Sequence, residues 1–391
     1  MQDMANPPDI CIRGAGIVGR TLALLLARER LNVTLVESPH PVKTSDVRAY
    51  SLNGAAMTLL QDLRCWPDSP AVTPVHQMQV WGDHGGQLRF EAQEQGVDEL
   101  NWMVDVPVLE ERLAQAVRFQ PQIEVTQAPL AAPLTVVCEG RASQTRAELG
   151  VGFDITHYEQ HAVATRLVCE QAHQGIARQW FGWSQVPGLS QPQADILALL
   201  PLGGEGGHEV ALVWSVHPLR AQALMSLTPD AFAAELGQAC SFNLGRMSLS
   251  AERAVWPLQL ARAERWIGTM PGAIKQSFVL AGDAAHALHP LAGQGLNVGL
   301  ADVAELVRVL KAKEFWRPVH DLKLLRRYER ARQADVQAMG LVTDGLQRLF
   351  AQPGPLWQNL RNWGMRGFDR SGPLKNWMTR QAMGQTASGP R

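Results

Sequence analysis

Only six of the 36 basic residues in this 391-residue chain are lysines, and none lies between Lys43 and Lys275. No lysine-dependent chemistry can come from the intervening stretch. Cysteine is as sparse. Cys11, Cys65, Cys138, Cys169 and Cys240 form an odd, scattered set without a CxxC pair, which speaks against a disulfide framework or a zinc site. An excess of charge of one sign is also lacking. The formal net charge is −1 at pH 7, so the whole molecule exerts no general pull on nucleic acid or an anionic bilayer. No uncharged apolar run approaches the roughly 20 residues of a membrane-spanning helix. The polar opening "MQDMANPPD" offers no secretory h-region, so a cytoplasmic protein is expected. Neither HExxH nor a GxSxG with suitable partners occurs, which removes the metalloprotease and serine-hydrolase signatures.

What is there is globular: 46% hydrophobic and 19% charged residues, in a chain long enough for two or three domains. "DICIRGAGIVGRTLALLLARERLNVTLVES" reads as strand, tight turn, helix, strand. Gly14, Ala15, Gly16 and Gly19 build a GxGxxG turn, Leu22, Leu25 and Leu26 recur at helical spacing, and "VTLVE" ends in Glu37. Glycines there let a backbone approach a pyrophosphate at a helix N-terminus, whose free N–H groups and dipole favour negative charge. Glu37 suits a ribose diol and repels a 2′-phosphate, so the expected nucleotide is NAD- or FAD-like. Arg13, just before the first glycine, has no role in this logic.

Further along, "MQVWGDHGGQLRFEA" reads as a β-hairpin with its turn at Asp83 to Gly86, and "VPVLEERLAQAVRF" as an amphipathic helix. From "HAVATRLVCE" to "HEVALVWSV" β-branching and alternation predict a β-rich insert. A helix capped by Thr228, with Pro229 at its first position, follows. "QSFVLAGDAAH" predicts a buried strand, and helices run from Gly295 onwards. The stretch "GDAAHALHPLAGQGLNVGLADV" then gives a strand end at Gly282 and Asp283 and a glycine-rich turn from Pro290 to Asn297 that opens a helix. Asp283 suits a ribityl hydroxyl. The N–H groups at Gly293, Gly295, Leu296 and Asn297 suit the anionic pyrimidine edge of a reduced flavin. Two such anchors, far apart in sequence, fit a long dinucleotide, and point to FAD.

Through these motifs the chain resembles the flavin-dependent aromatic monooxygenases of the para-hydroxybenzoate hydroxylase fold. Within them it is most similar to the ubiquinone-biosynthesis hydroxylases. The resemblance runs through nearly the whole chain and includes "RAYSLN", "YEQHAVATRLV", "WPLQLARAERW", "YERARQAD" and "HPLAGQGLN". It implies an α/β fold: a Rossmann-type FAD-binding domain, an inserted β-rich substrate domain and C-terminal helices. We place the FAD-binding domain at 1–75, 98–157 and 270–340, the β-rich domain at 76–97 and 158–269, and the helical region at 341–391. It also implies FAD as cofactor, NADPH or NADH as electron donor, and O2 and a prenylated phenol or quinol as substrates. No second GxGxxG exists for the nicotinamide donor, so that part rests on resemblance. The family's usual mid-chain Asp-Gly is replaced by Glu139–Gly140, after Cys138.

Arg48 is expected to steady the flavin or the pyrophosphate, and Pro290 to shape the flavin face. No catalytic residue is assigned. His289 and Pro290 are the candidates, while His286 and His289 are expected mainly to pack the loop. Trp180, Phe181, Trp183 and Trp214 are candidates to line an apolar ring-and-tail pocket. The C-terminal "PLWQNLRNWGMRGFDRSGPLKNWMTRQ", basic and tryptophan-bearing, suits either a bilayer surface or a packed helix within a ubiquinone-synthesis assembly. Competing readings are a prenyl reductase of the same fold and a non-catalytic flavin-bound subunit. The lysine gap and "WFGWSQVP", whose spacing departs from Trp-x-Trp-x-Ile-Pro, speak against a flavin halogenase.

Overall fold

The computed structural model describes residues 7–37, 47–82, 86–204, 206–287 and 295–351. From the N-terminus, β1 (Ile10–Arg13), α1 (Ile17–Arg28) and β2 (Val33–Val36) form the expected strand–helix–strand unit. They are followed by β3 (Ala49–Leu52), α2 (Gly54–Asp62), β4 (Val72–Val75), and the paired β5 (Gln77–Trp81) and β6 (Gln87–Glu91). Next come β7 (Asn101–Asp105), α3 (Val106–Arg118), β8 (Ile123–Thr126), β9 (Leu134–Val137) and the short α4 (Gln144–Glu148). The long β10 (Phe153–Cys169) opens a β-rich run with β11 (Ile176–Ser184), β12 (Gln193–Leu202) and β13 (Glu209–Val216). After α5 (Pro218–Ser226) and α6 (Pro229–Ala239) come β14 (Met247–Leu249), β15 (Ala254–Ala263), β16 (Ile267–Met270) and β17 (Ala273–Leu280). The short β18 (His286–Ala287), α7 (Gly295–Lys311) and α8 (Leu322–Ala351) complete the described chain.

The described strands form three sheets. In the first the order is β16-β17-β9-β1-β2-β8, parallel except for the β16 edge. Its central strands β1, β2 and β9 are buried along nearly their whole length, on both faces. Leu22 and Leu26 of α1, Leu109 and Leu113 of α3, Val303 and Leu306 of α7, and Tyr328 of α8 share one core with these strands. A second sheet runs β18-β15-β10-β13-β12-β11-β5-β6, with β14 on β10. One of its faces is covered by α5 and α6, where Phe232 and Leu236 are fully buried. The Thr228 side chain accepts a hydrogen bond from the Ala231 N–H, capping α6 as its sequence predicts. A third, small sheet, β3-β7-β4, lies against the other face through Val75, Met103, Ala177, Leu202 and Ala211.

Candidate functional site

The three glycines of the early turn do different work. Gly14 has φ +110°, and a Cβ on it would meet the Cys138 carbonyl oxygen at 2.5 Å. A Cβ on Gly19 would stand 1.9 Å from the Gly14 carbonyl oxygen. Both are demanded by backbone packing of β1, α1 and the end of β9. Gly16 is different: nothing lies within 4 Å of the position its Cβ would take. It is the N-cap residue of α1, no side chain caps that helix, and its first turn carries no acid. An open space thus faces free helix N–H groups, the arrangement an anionic pyrophosphate needs. Ala15 packs partly against the main core beside it.

Glu37 follows β2 with a half-exposed carboxylate, to which Arg20 of α1 donates at 2.6 Å. The remaining lone pairs face solvent, open to a ribose diol. Arg48, just before β3, keeps its guanidinium 3.8 Å from Glu110, while its carbonyl accepts from Arg166 at 3.3 Å.

Folding brings the late motif onto the early one. Val18 in the first turn of α1 lies 3.4 Å from the Cβ position of Gly282 and 3.0 Å from that of Gly299 in α7. Gly299 lets α1 and α7 close this tightly, while Gly282, at φ +61°, supplies the left-handed backbone at the end of β17. Asp283 stands at that junction, exposed and without a hydrogen bond or ion pair among the described residues. Desolvation by the protein packed around it raises its pKa; His286 and Arg141 oppose that rise, and buried Asp302 adds to it. An unpaired carboxylate there is well placed to accept a hydroxyl. Beneath it, Asp302 is completely buried. Its Oδ2 accepts from the Gly282 N–H at 2.9 Å and from His286 Nε2 at 2.6 Å, and its Oδ1 accepts from Arg332 Nε at 2.8 Å. Burial pushes the Asp302 pKa up, but His286 and Arg332 together hold it below the ordinary carboxylate range.

At the start of α7, a Cβ on Gly295 would meet nothing within 4 Å, and Leu296 is buried in the core. The Asn297 side chain is taken up: it donates to the Ser51 carbonyl at 2.7 Å and accepts from the Asn53 N–H at 3.0 Å. It ties α7 to the end of β3, which leaves its backbone, rather than its carboxamide, for any ligand. Sequence reasoning missed Asp302 and Arg332 altogether. Asp302 lay inside the quoted motif, but nothing local marks a charge as buried.

The Glu139 departure and the unexplained Arg13 are partners. Arg13 Nε is 3.2 Å from Glu139, and its other end is 3.5 Å from Glu148. Glu139 also accepts from Ser143 Oγ at 2.7 Å, and from Thr145 N and Oγ1 at 3.0 and 2.5 Å. Burial raises the Glu139 pKa, and these hydrogen bonds with Arg13 lower it further than burial lifts it. Buried Arg146 donates to the Ala284 carbonyl at 3.1 Å, joining this turn to the Asp283 loop.

The tryptophans separate by face. Trp180 pairs with Leu197, Leu197 with Trp214, and Trp214 with Val163, so the four form one row across the sheet. Trp214 is 1% exposed, edge-on to Phe232 under α6, and Trp180 stacks on Trp81 at 4.7 Å. That row belongs to the packing core against α5 and α6. Trp183 and Phe181 alternate to the other face, shared with Ala177. By the same register Ala162, Ala164, Ile196, Ala198, Val213 and Ser215 share that face, which packs in part against the third sheet. His289, Pro290, Gly293, the hairpin tip at 83–85 and the basic C-terminal stretch lie outside the described residues. No helix among the described residues is long and apolar enough to cross a membrane.

Residues 87–341 match a protein family described as FAD binding domain. A 3-demethoxyubiquinol 3-hydroxylase of Escherichia coli (strain K12) is 28% identical, over 97% of this chain and 99% of that one. A ubiquinone hydroxylase, UbiL, of Rhodospirillum rubrum is 29% identical, over 98% of this chain and 91% of its own length. Among solved structures, p-nitrophenol 4-monooxygenase PnpA from Pseudomonas putida DLL-E4 superposes with a TM-score of 0.72 at 16% identity. That match covers 99% of this chain and 100% of PnpA, and speaks to the fold.

Proposed function

The chain belongs to the FAD binding domain family, and from that premise we propose that it is a monooxygenase hydroxylating the ring of a prenylated phenol or quinol in ubiquinone biosynthesis. The observation that carries the reading is the packing of the late glycine motif onto the early one, with Val18 of α1 against Gly282 and Gly299. Gly16 and Gly295 each have room where a Cβ would stand, and Asp283, next to Gly282, offers an unpaired carboxylate. End-to-end similarity to two ubiquinone hydroxylases supports the substrate class.

The uncapped start of α1 holds the pyrophosphate of FAD, and Glu37 the adenosine ribose. Asp283 accepts a ribityl hydroxyl, and the start of α7 faces the pyrimidine edge with its N–H groups. When bound, FAD, reduced by NADPH or NADH, supplies the electrons with which O2 places one oxygen on the ring and leaves the other as water. The protein orients that ring and keeps solvent away. The sheet face that carries Ala162, Ala164, Ala198 and Ser215, with Phe181 and Trp183, suits a flat ring. Arg48 steadies the cofactor from the β3 side.

The test is a mass spectrum of quinone-pathway lipids from cells lacking the gene. Accumulation of an intermediate short of one ring oxygen is expected, and its structure names the carbon. An unchanged lipid profile, in cells without a second such hydroxylase, overturns the ubiquinone assignment.

A further inference from the structure

The corner between α7 and α8 carries a feature that the cofactor site does not use. Phe315 is 95% exposed and Trp316 beside it 63%, at the tip of the connection. The Arg317 guanidinium lies 4.9 Å over the Trp316 ring. Between Glu305 and Arg330 the sequence holds eight cationic residues and four acidic ones, in a protein whose net charge is −1. Lys311, Lys323, Arg326, Arg327 and Arg330 are exposed around the tip. Neither Lys313 nor Lys323 has an ion pair among the described residues. Phe119, 83% exposed after Arg118, belongs to the same end of the molecule. Lys311 bonds Glu29 at the end of α1, and the next strand begins with Val33 N–H bonded to the Gln122 carbonyl.

We propose that this aromatic, basic corner is a docking surface for an anionic lipid bilayer. A protruding Phe–Trp pair gains by sinking to the headgroup level, where aromatic rings find both apolar and polar surroundings. Its ring of lysines and arginines complements anionic headgroups, which the molecule as a whole does not. The choice of a bilayer over another polyanion rests on the proposed function, because a prenylated substrate resides in the membrane. The 17 residues of α7 separate the corner from the cofactor end by about 25 Å, so changes at the tip leave the cofactor cradle untouched.

The FAD-loaded full chain is sedimented with vesicles of phosphatidylcholine alone, and with vesicles containing about 30 mol% phosphatidylglycerol. Binding to the anionic vesicles is expected, at least tenfold weaker to the neutral ones, and suppressed by salt at about 0.5 M. The double variant Phe315→Ser with Trp316→Ser loses most of that binding, and so does Lys313→Glu with Lys323→Glu. Both retain the wild-type FAD content and melting temperature, which shows that they fold. Equal binding to both vesicle types, wild-type binding by either variant, or no vesicle binding at all overturns the proposal. Hydroxylation of a detergent-dissolved, short-tailed prenylphenol is followed in parallel. If wild type fails to turn it over, the functional reading falls, while the vesicle data still decide the surface.

Discussion

Arg332 donates from Nε to Oδ1 of Asp302 at 2.8 Å, with the two side chains 7% and 0% exposed, and so joins α8 to α7 in the interior. His286 and the Gly282 N–H occupy the other carboxylate oxygen, so one buried anion holds the loop that presents Asp283.

Removing one partner strands the others. Arg332→Met is expected to cost about 3–5 kcal/mol, read from urea unfolding. The pH dependence has a definite sign. The Asp302 pKa is lowered in the fold, so its contribution is present above the ordinary carboxylate pKa and is lost as pH falls through the lowered value. Asp302→Asn, less stable at neutral pH, is expected to lose that acid limb. An unchanged limb refutes the assignment.

The glycines make a second, separable prediction. Gly14→Ala forces a Cβ into the Cys138 carbonyl at positive φ, and is expected to cost about 3 kcal/mol or more with or without cofactor. Gly16→Ala meets open space. Its FAD-free melting temperature should match wild type, while FAD affinity, titrated by flavin fluorescence, falls at least about tenfold, or 1.4 kcal/mol. Wild-type affinity in Gly16→Ala removes the pyrophosphate from that space.

Trp183 and Trp214 should respond oppositely. Trp214→Ala opens the core under α6 and is expected to cost about 3–5 kcal/mol of stability. Trp183→Ala should leave stability within about 1 kcal/mol and raise KM for a short-tailed prenylphenol instead. Thermal melts and steady-state kinetics on both variants distinguish the two faces of the sheet.

Asp195 offers a pH test away from the site. Burial raises its pKa to about 6, although Arg220 at 2.9 Å and Ser184 pull it down. A raised acid pKa stabilises the fold below the unfolded value and loses that contribution as pH climbs. Stability should therefore decline between about pH 4 and 6, by at most about 3 kcal/mol, and Asp195→Asn should flatten that slope. Urea midpoints across this range measure it.

The turn at Gly14 to Gly19, the helix after it, the Thr228 cap and the strand at Ser277 to Leu280 were all legible in sequence, because short-range backbone geometry and apolar spacing decide them. Arg13 and Glu139, each odd alone, make sense only as a pair, since β1 and β9 become neighbours through a pairing 124 residues apart, Cys11 with Thr135. Trp180 and Trp183 look alike in sequence, yet strand alternation sends one under α5 and α6 and the other to the opposite face, shared with Ala177.

By itself, then, the amino-acid sequence determined the family of cofactor-binding proteins to which this chain belongs and the two glycine-rich turns proposed to hold the cofactor, because phosphate cradles and helix starts are built from residues close in sequence. Tertiary structure alone decided which sheet face packs under α5 and α6, which carboxylate is buried with a partner and which is left open, and where the aromatic corner emerges. Those properties depend on what covers each side chain, and the covering elements lie far away along the chain.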